Sequence, residues 1–78
     1  FIKNDFMVSP NPVVDNVKIK SNKSINSIQL YNLLGQVVFE QNSNQTEVEI
    51  NLSFLKSGSY LMRVQSEGNS SSKMILKN

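Results

Sequence analysis

The chain has 78 residues, a formal net charge of +2, and neither cysteine nor histidine. A domain of this size buries only about 60% of the surface its unfolded form exposes, and without cysteine no disulfide framework or thiolate zinc site can reinforce it. Missing histidine removes the side chain most used for acid–base catalysis near neutral pH and the commonest metal ligand, and the small, scattered positive charge gives no footprint for nucleic acid. No apolar run approaches the ~20 residues that span a bilayer, and no basic-then-apolar leader opens the chain, which argues against direct membrane insertion. Because it opens at Phe1 rather than Met, the chain is expected to be a domain of a longer protein, with any export leader upstream.

Residues 1–5 read as the end of a linker, and the domain proper as 6–78, beginning with a short strand at Phe6-Met7-Val8. Pro10-Asn11-Pro12 follows. Two prolines fix φ and remove two backbone donors, so this segment predicts a bend or an edge crossover, not the middle of a sheet. Val17 and Ile19 alternate with Asn16, Lys18 and Lys20, predicting a second strand with a lysine-bearing face that solvates or protects an edge. Ser21 to Asn26 reads as a polar turn. Ile28 to Phe39 then predicts a hairpin: Ile28 and Leu30 alternate with Gln29 and Tyr31, Asn32 opens a turn, and Gly35 supplies the positive φ needed to leave it. Leu33 and Leu34 fall at its tip, where two leucines read either as a lid folding over one end of the core, the simpler reading, or as a contact surface. Along Val37-Val38-Phe39 the register is open, Glu40 favouring Val37 and Phe39 inward.

Gln41 to Gln45 reads as a polar loop, after which Val48, Ile50 and Leu52 alternate with Glu47, Glu49 and Asn51 in a fifth strand. Glu47 and Glu49 lie about 7 Å apart along one face. Alternation puts both on the solvent side with no cleft implied, so they read as surface charge and not as a catalytic pair. In Ser53 to Ser59, Leu55 is expected to plug the core and Gly58 to turn the chain. Tyr60, Met62 and Val64 form one face of a sixth strand, with Tyr60 placed where sandwich folds use a tyrosine to bond the preceding corner. Glu67-Gly68-Asn69 predicts the last turn, and Lys73 to Lys77 a seventh strand with Met74 and Leu76 on one face and Ile75 on the other.

Seven short strands separated by turn signals, with no helical period, predict an all-β fold: a small seven-stranded antiparallel Greek-key sandwich of immunoglobulin-like arrangement. Four Asn-x-Ser/Thr triplets, at Asn22, Asn44, Asn51 and Asn69, are what a chain rich in Asn and Ser contains by chance. Neither a phosphate-cradling glycine loop nor an acidic calcium loop is present, and no cofactor is implied. From the residues alone the chain reads as a β module without catalytic machinery.

Four segments in order carry a resemblance: Pro10-Asn11-Pro12 with Asp15 to Ile19, Leu30 to Val38, Leu52 to Val64, and the lysine-flanked end Lys73-Met74-Ile75-Leu76-Lys77. Together they resemble the type A C-terminal sorting domain of the type IX (Por) secretion system of Bacteroidetes-type bacteria, over nearly the whole chain. Ser9 stands where the family often has an aromatic. The resemblance implies a folded secretion signal at the end of a cargo protein, in transit through the periplasm and then at the cell surface or secreted. It further implies an outer-membrane β-barrel shuttle protein and translocon as partners, and removal by a sortase-like protease. Recognition would fall on Pro10, Asn11, Pro12, Leu33, Leu34, Gly35, Gly58, Tyr60 and Lys73 to Lys77. Two other classes follow from the residues: an immunoglobulin-like accessory domain binding carbohydrate, with Tyr31 the evident stacking candidate, and an enzyme fragment, which the residue content disfavours.

Overall fold

The computed structural model describes residues 6–78; the expected linker at 1–5 lies outside them. Five strands form one antiparallel sheet: β1 (Phe6–Ser9), β2 (Asn16–Tyr31), β3 (Val37–Asn51), β4 (Gly58–Ser66) and β5 (Asn69–Lys77). The all-β, antiparallel expectation holds, but the strands number five among the described residues, not seven, and they pair as one curled sheet, a pairing that does not by itself define the expected Greek-key, immunoglobulin-like sandwich. The difference lies in two stretches read as polar breaks. Ser21–Asn26 and Gln41–Gln45 both continue as strand, fusing the expected strands two and three into β2 and four and five into β3.

Bulges make that continuity possible. Between Lys20↔Glu47 and Ile25↔Gln45, β2 advances five residues while β3 advances two, and a second shift follows between Ile25 and Ser27. Extra residues on one strand bend it and sharpen its twist without ending its pairing. They also change the phase of the alternation: Val17, Ile19 and Ile25 face inward before the second shift, Ile28 and Leu30 after it. A third shift, at Leu30↔Phe39 and Tyr31↔Val37, leaves Val38 over, so that Val37 faces outward, contrary to the inward placement Glu40 favoured, while Val38 and Phe39 are both half-buried.

Because β2 bends, its two halves serve different neighbours. β3 runs along one side of it throughout; on the other side β1 pairs with residues 18–21 and β4 with residues 27–31. β5 pairs with β4 alone along the sheet. The two halves curl around one core built from Val17, Ile19, Ile25, Ile28 and Leu30 of β2, Val48 and Ile50 of β3, Tyr60, Met62 and Val64 of β4, and Ile75 of β5. Leu52, fully buried at the end of β3's alternation, is the plug at this margin; Leu55, expected there, only packs against the core from its edge.

The curl is closed by the crossover between β1 and β2. Val13, with no exposed surface, forms a parallel bridge with Lys77: its N–H donates to the Leu76 carbonyl at 2.7 Å and its carbonyl accepts from the Asn78 N–H at 2.8 Å. Asn11 Oδ1 accepts from the Leu76 N–H at 3.1 Å, and the Asp15 carbonyl accepts from the Leu52 N–H at 2.7 Å. Both X–Pro bonds of this crossover, Ser9–Pro10 and Asn11–Pro12, are cis. As expected of a segment with two prolines, it spans an edge: Val13 N–H donates to the end of β5, and the Asn11 side chain and the Val13 and Asp15 carbonyls accept from the ends of β5 and β3.

Local chemistry fixes the turns. Asn32 organises the β2–β3 tip: its carbonyl accepts from Gly35 N–H at 3.0 Å, and its side-chain Oδ1 accepts from both Leu34 and Gln36 N–H at 2.9 and 3.0 Å. Gly35 leaves the turn at φ +84°, and Gly58 enters β4 at φ +151°. Tyr60 donates its hydroxyl to the Lys56 carbonyl at 2.7 Å, tying the corner before β4 as the sequence predicts. The β4–β5 turn at Glu67-Gly68, both with positive φ, is anchored to the β2 bend through Glu67 N–H on Asn26 Oδ1 (2.7 Å) and Ser66 Oγ on the Ser24 carbonyl (2.6 Å).

Since an added Cβ at Gly35 or Gly58 meets nothing within 4 Å, the cost of a side chain there is backbone strain alone. Gly35→Val and Gly58→Val are each expected to lower unfolding free energy by more than ~1 kcal/mol, and Tyr60→Phe by about 1 kcal/mol through the lost corner bond. Denaturant titration of the three variants checks this, and unchanged midpoints would refute the turn assignments.

Candidate recognition surface

The outer face of the β3-β2-β4-β5 half carries an apolar row set by register. Val37 lies opposite Tyr31, Tyr31 opposite Leu61, and Leu61 opposite Met74, so four strands contribute one residue each. Cross-strand neighbours on one face sit within side-chain reach, which makes the row continuous. Next to it the hairpin tip projects Leu33 and Leu34, 74% and 84% exposed. Of the two readings of that pair, the lid fails, because both side chains lie in solvent and cover no part of the core. Tyr31, Leu33, Leu61 and Met74, with Asn32, Gly35 and Arg63, line an open groove of about 500 Å³.

On β5 the expected division of faces is present: Ile75 is 2% exposed, whereas Met74 and Leu76 are about half exposed. The flanking lysines share the inward face with Ile75. Residues 73, 75 and 77 share the inward parity, so Lys77 is 6% exposed with its Nζ donating to the Asn78 backbone oxygen at 2.9 Å. Lys73 is half-buried and holds its Nζ 5.3 Å from the centre of the Phe6 ring. At the open rim of a curled sheet a long cationic side chain can cover apolar surface with its stem and keep its head at the polar margin. Both lysines therefore belong partly to the fold.

The motif residues separate into two groups. Asn11 reaches Leu76, the Pro10-Asn11-Pro12 crossover leads into Val13 on Lys77, and Gly58, Ser59 and Tyr60 pair with Lys77, Leu76 and Ile75. Segments from the beginning, the fourth strand and the end of the domain thus meet at one place. Leu33 and Met74 both line the groove, Leu34 is exposed outside its lining, and Gly35 serves the turn. Sequence reasoning overlooked Leu61 and Arg63 and considered Tyr31 only for stacking on sugars. The signal for Leu61 was present: Tyr60-Leu61-Met62 is apolar on both faces, as Met74-Ile75-Leu76 is.

Little at this surface suits bond-making. Glu47 is held by Lys18 at 3.3 Å and by Lys20 at 4.0 Å, so the Glu47/Glu49 face is a screened, mixed-charge surface. No group of three His, Cys, Asp or Glu side chains that could hold a metal occurs among the described residues. Tyr31, the sugar-stacking candidate, is half-buried, and its hydroxyl donates to Gln29 Oε1 at 2.8 Å. What the geometry defines is a small β module with an exposed apolar face.

Residues 7–78 match the family described as the secretion system C-terminal sorting domain, and this chain belongs to that family of the Por, or type IX, system. It is also 39% identical over 64 residues to the ulvan lyase NLR42 of Nonlabens ulvanivorans, an alignment covering 80% of this chain and 12% of that protein. The chain therefore spans a small part of the relative's length. Membership carries interaction with the type IX secretion machinery and export to the cell surface or beyond it.

The two faces of β5 give a direct contrast. Ile75→Ala removes a buried side chain and is expected to cost about 2–4 kcal/mol, whereas Met74→Ala on the groove should stay within about 0.5 kcal/mol of the parent. Urea unfolding of both variants tests the assignment; comparable losses would mean that Met74 is part of the core.

Proposed function

We propose that this domain is the export signal of a longer cargo protein, read as a folded unit at the outer membrane by a β-barrel shuttle protein, passed through the type IX translocon, and then removed by a sortase-like protease. The cargo reaches the periplasm first and ends at the cell surface or in the medium. One observation carries this reading: the stretch matched by the family, 7–78, coincides with the unit that the Val13–Lys77 closure folds. The recognised object and the folded object are the same. The apolar face adds support, since an exposed contiguous apolar patch on a small domain commonly marks an interaction site.

The residues favoured for recognition are those with side chains at the surface. Leu33, Leu34, Met74 and Leu76 are exposed apolar side chains, and Pro10, Asn11 and Pro12 form an exposed ridge beside the end of β5. Gly35, Gly58, Tyr60 and Ile75 act on recognition through the fold. Lys73 and Lys77 belong to both sets.

Fusing residues 1–78 to a reporter exported to the periplasm is expected to carry the reporter out of a host that has this secretion system. An intact, folded fusion retained in the periplasm would overturn the proposal. Truncating the end of β5 would confound the test, because Leu76 and Asn78 hold Val13. Leu33→Ser and Met74→Ser avoid this: both are expected to leave the melting temperature within about 2 °C of the parent while reducing export severalfold, and export that falls only as melting falls would assign these residues to stability.

A further inference from the structure

We infer that the groove between the hairpin tip and the outer face of β4 and β5 is a docking site for an extended polypeptide segment that presents a large apolar side chain and, two residues along, a carboxylate. The groove's floor and walls are apolar, from Tyr31, Leu33, Leu61 and Met74, and one side chain in its lining is charged: Arg63. Arg63 follows Leu61 by two residues on the same face, about 7 Å along the strand. It is half-buried, and it takes part in no ion pair among the described residues, whose ion pairs are Lys18–Glu47, Lys20–Glu47 and Lys23–Glu67.

Its surroundings explain why. Opposite Arg63 across the strands are Gln29 and Ser72, both neutral. The acid in the same cross-strand row is Glu40 on β3, two strands away at about 10 Å, and its carboxylate already accepts from Gln29 Nε2 at 2.8 Å. A guanidinium presents a planar fork of donors suited to bidentate contact with a carboxylate. Here that fork borders a hydrophobic trough and lacks an internal acid. The complementary ligand has an apolar anchor for the trough and an acid for the fork, spaced as alternate residues of a strand are. A second copy of this chain fits less well, since Leu33 of the hairpin tip lines the groove beside Leu61 and Met74 and so interrupts the flat surface that face-to-face packing of two sheets takes.

This deepens the export reading by giving the chemistry of the segment that would be bound, and its test is a binding measurement independent of secretion. The probe is a capped heptapeptide, Thr-Thr-Leu-Thr-Glu-Thr-Thr, titrated into the 78-residue chain while the methyl resonances of Met74 and Leu61 are followed by NMR. Two control peptides carry glutamine in place of the glutamate and alanine in place of the leucine. Saturable shifts of those methyls are expected, with roughly threefold weaker binding of the glutamine peptide, the scale of a solvent-accessible ion pair, and severalfold weaker binding of the alanine peptide.

Arg63→Gln is expected to bring the glutamate peptide to the affinity of the glutamine peptide and to leave the latter unchanged, while Arg63→Lys retains part of the preference. Equal affinity of the native chain for the glutamate and glutamine peptides would overturn the inference without recourse to any variant. So would an absence of saturable shifts at millimolar peptide, an equal loss for both peptides on Arg63→Gln, or concentration-dependent methyl shifts without peptide, which would make self-association the use of this face.

Discussion

A curled sheet of this size has to close on itself, and it does so through one buried residue. Val13 is not in a named strand, yet its N–H and carbonyl bond the residues on either side of Lys77. Without that bridge the Pro10–Asp15 crossover would be held by the Asp15 carbonyl on Leu52 and by the Asn11 side chain on Leu76, and the end of β5 would have only β4 and that one side-chain bond to hold it. A terminal strand with one partner is where fraying begins. By pinning the last residues of the domain to one of its first connections, the bridge makes the ends of the chain support each other, which matters in a domain with no disulfide to do so.

That closure decides which surfaces are available. With Ile75 and the stems of Lys73 and Lys77 committed inward, the even-numbered residues of β5 are left outward, and register carries their apolar character across β4 and β2 to Val37. The exposed apolar row is thus a consequence of sheet geometry: a four-stranded half needs one apolar face for its core, and the second apolar face has no counterpart among the described residues. A module selected only for solubility would place polar residues along such a row. Keeping apolar residues there fits a protein whose purpose is to be bound.

The polar bends of β2 and β3 show the opposite treatment. Their outer surface is Asn, Gln, Ser, Thr, Lys and Glu, and the free side of β3 through this region is polar from Gln41 to Glu47. Polar, charged and bulged edges discourage pairing with other chains. Exposed apolar surface is thereby kept away from that edge, and Arg63 stands at the boundary between the apolar groove and a polar hollow lined by Asn26, Gln65 and Asn69.

The sequence by itself determined the element type and the turns. Period-two alternation placed Val17, Ile19, Ile28, Leu30, Val48, Ile50, Leu52, Met62 and Val64 inside and separated Ile75 from Met74 and Leu76; Asn32 with Gly35, and Glu67 with Gly68, marked the tips; Tyr60 was matched to its corner. These are local signals, set by residues within a few positions of one another, and the order of its motifs was enough to indicate the family. Only the tertiary structure decided that Ser21–Asn26 and Gln41–Gln45 are strand, because a bulged bend and a turn share the same polar composition and differ in whether a partner strand continues alongside. The inward lysines of β5 and the exposure of Leu33 and Leu34 were likewise hidden, since which face is inside depends on how the sheet curls. The apolar row was the least legible feature: Val37, Tyr31, Leu61 and Met74 are far apart in the chain, and cross-strand register, a long-range property, is what makes them one surface.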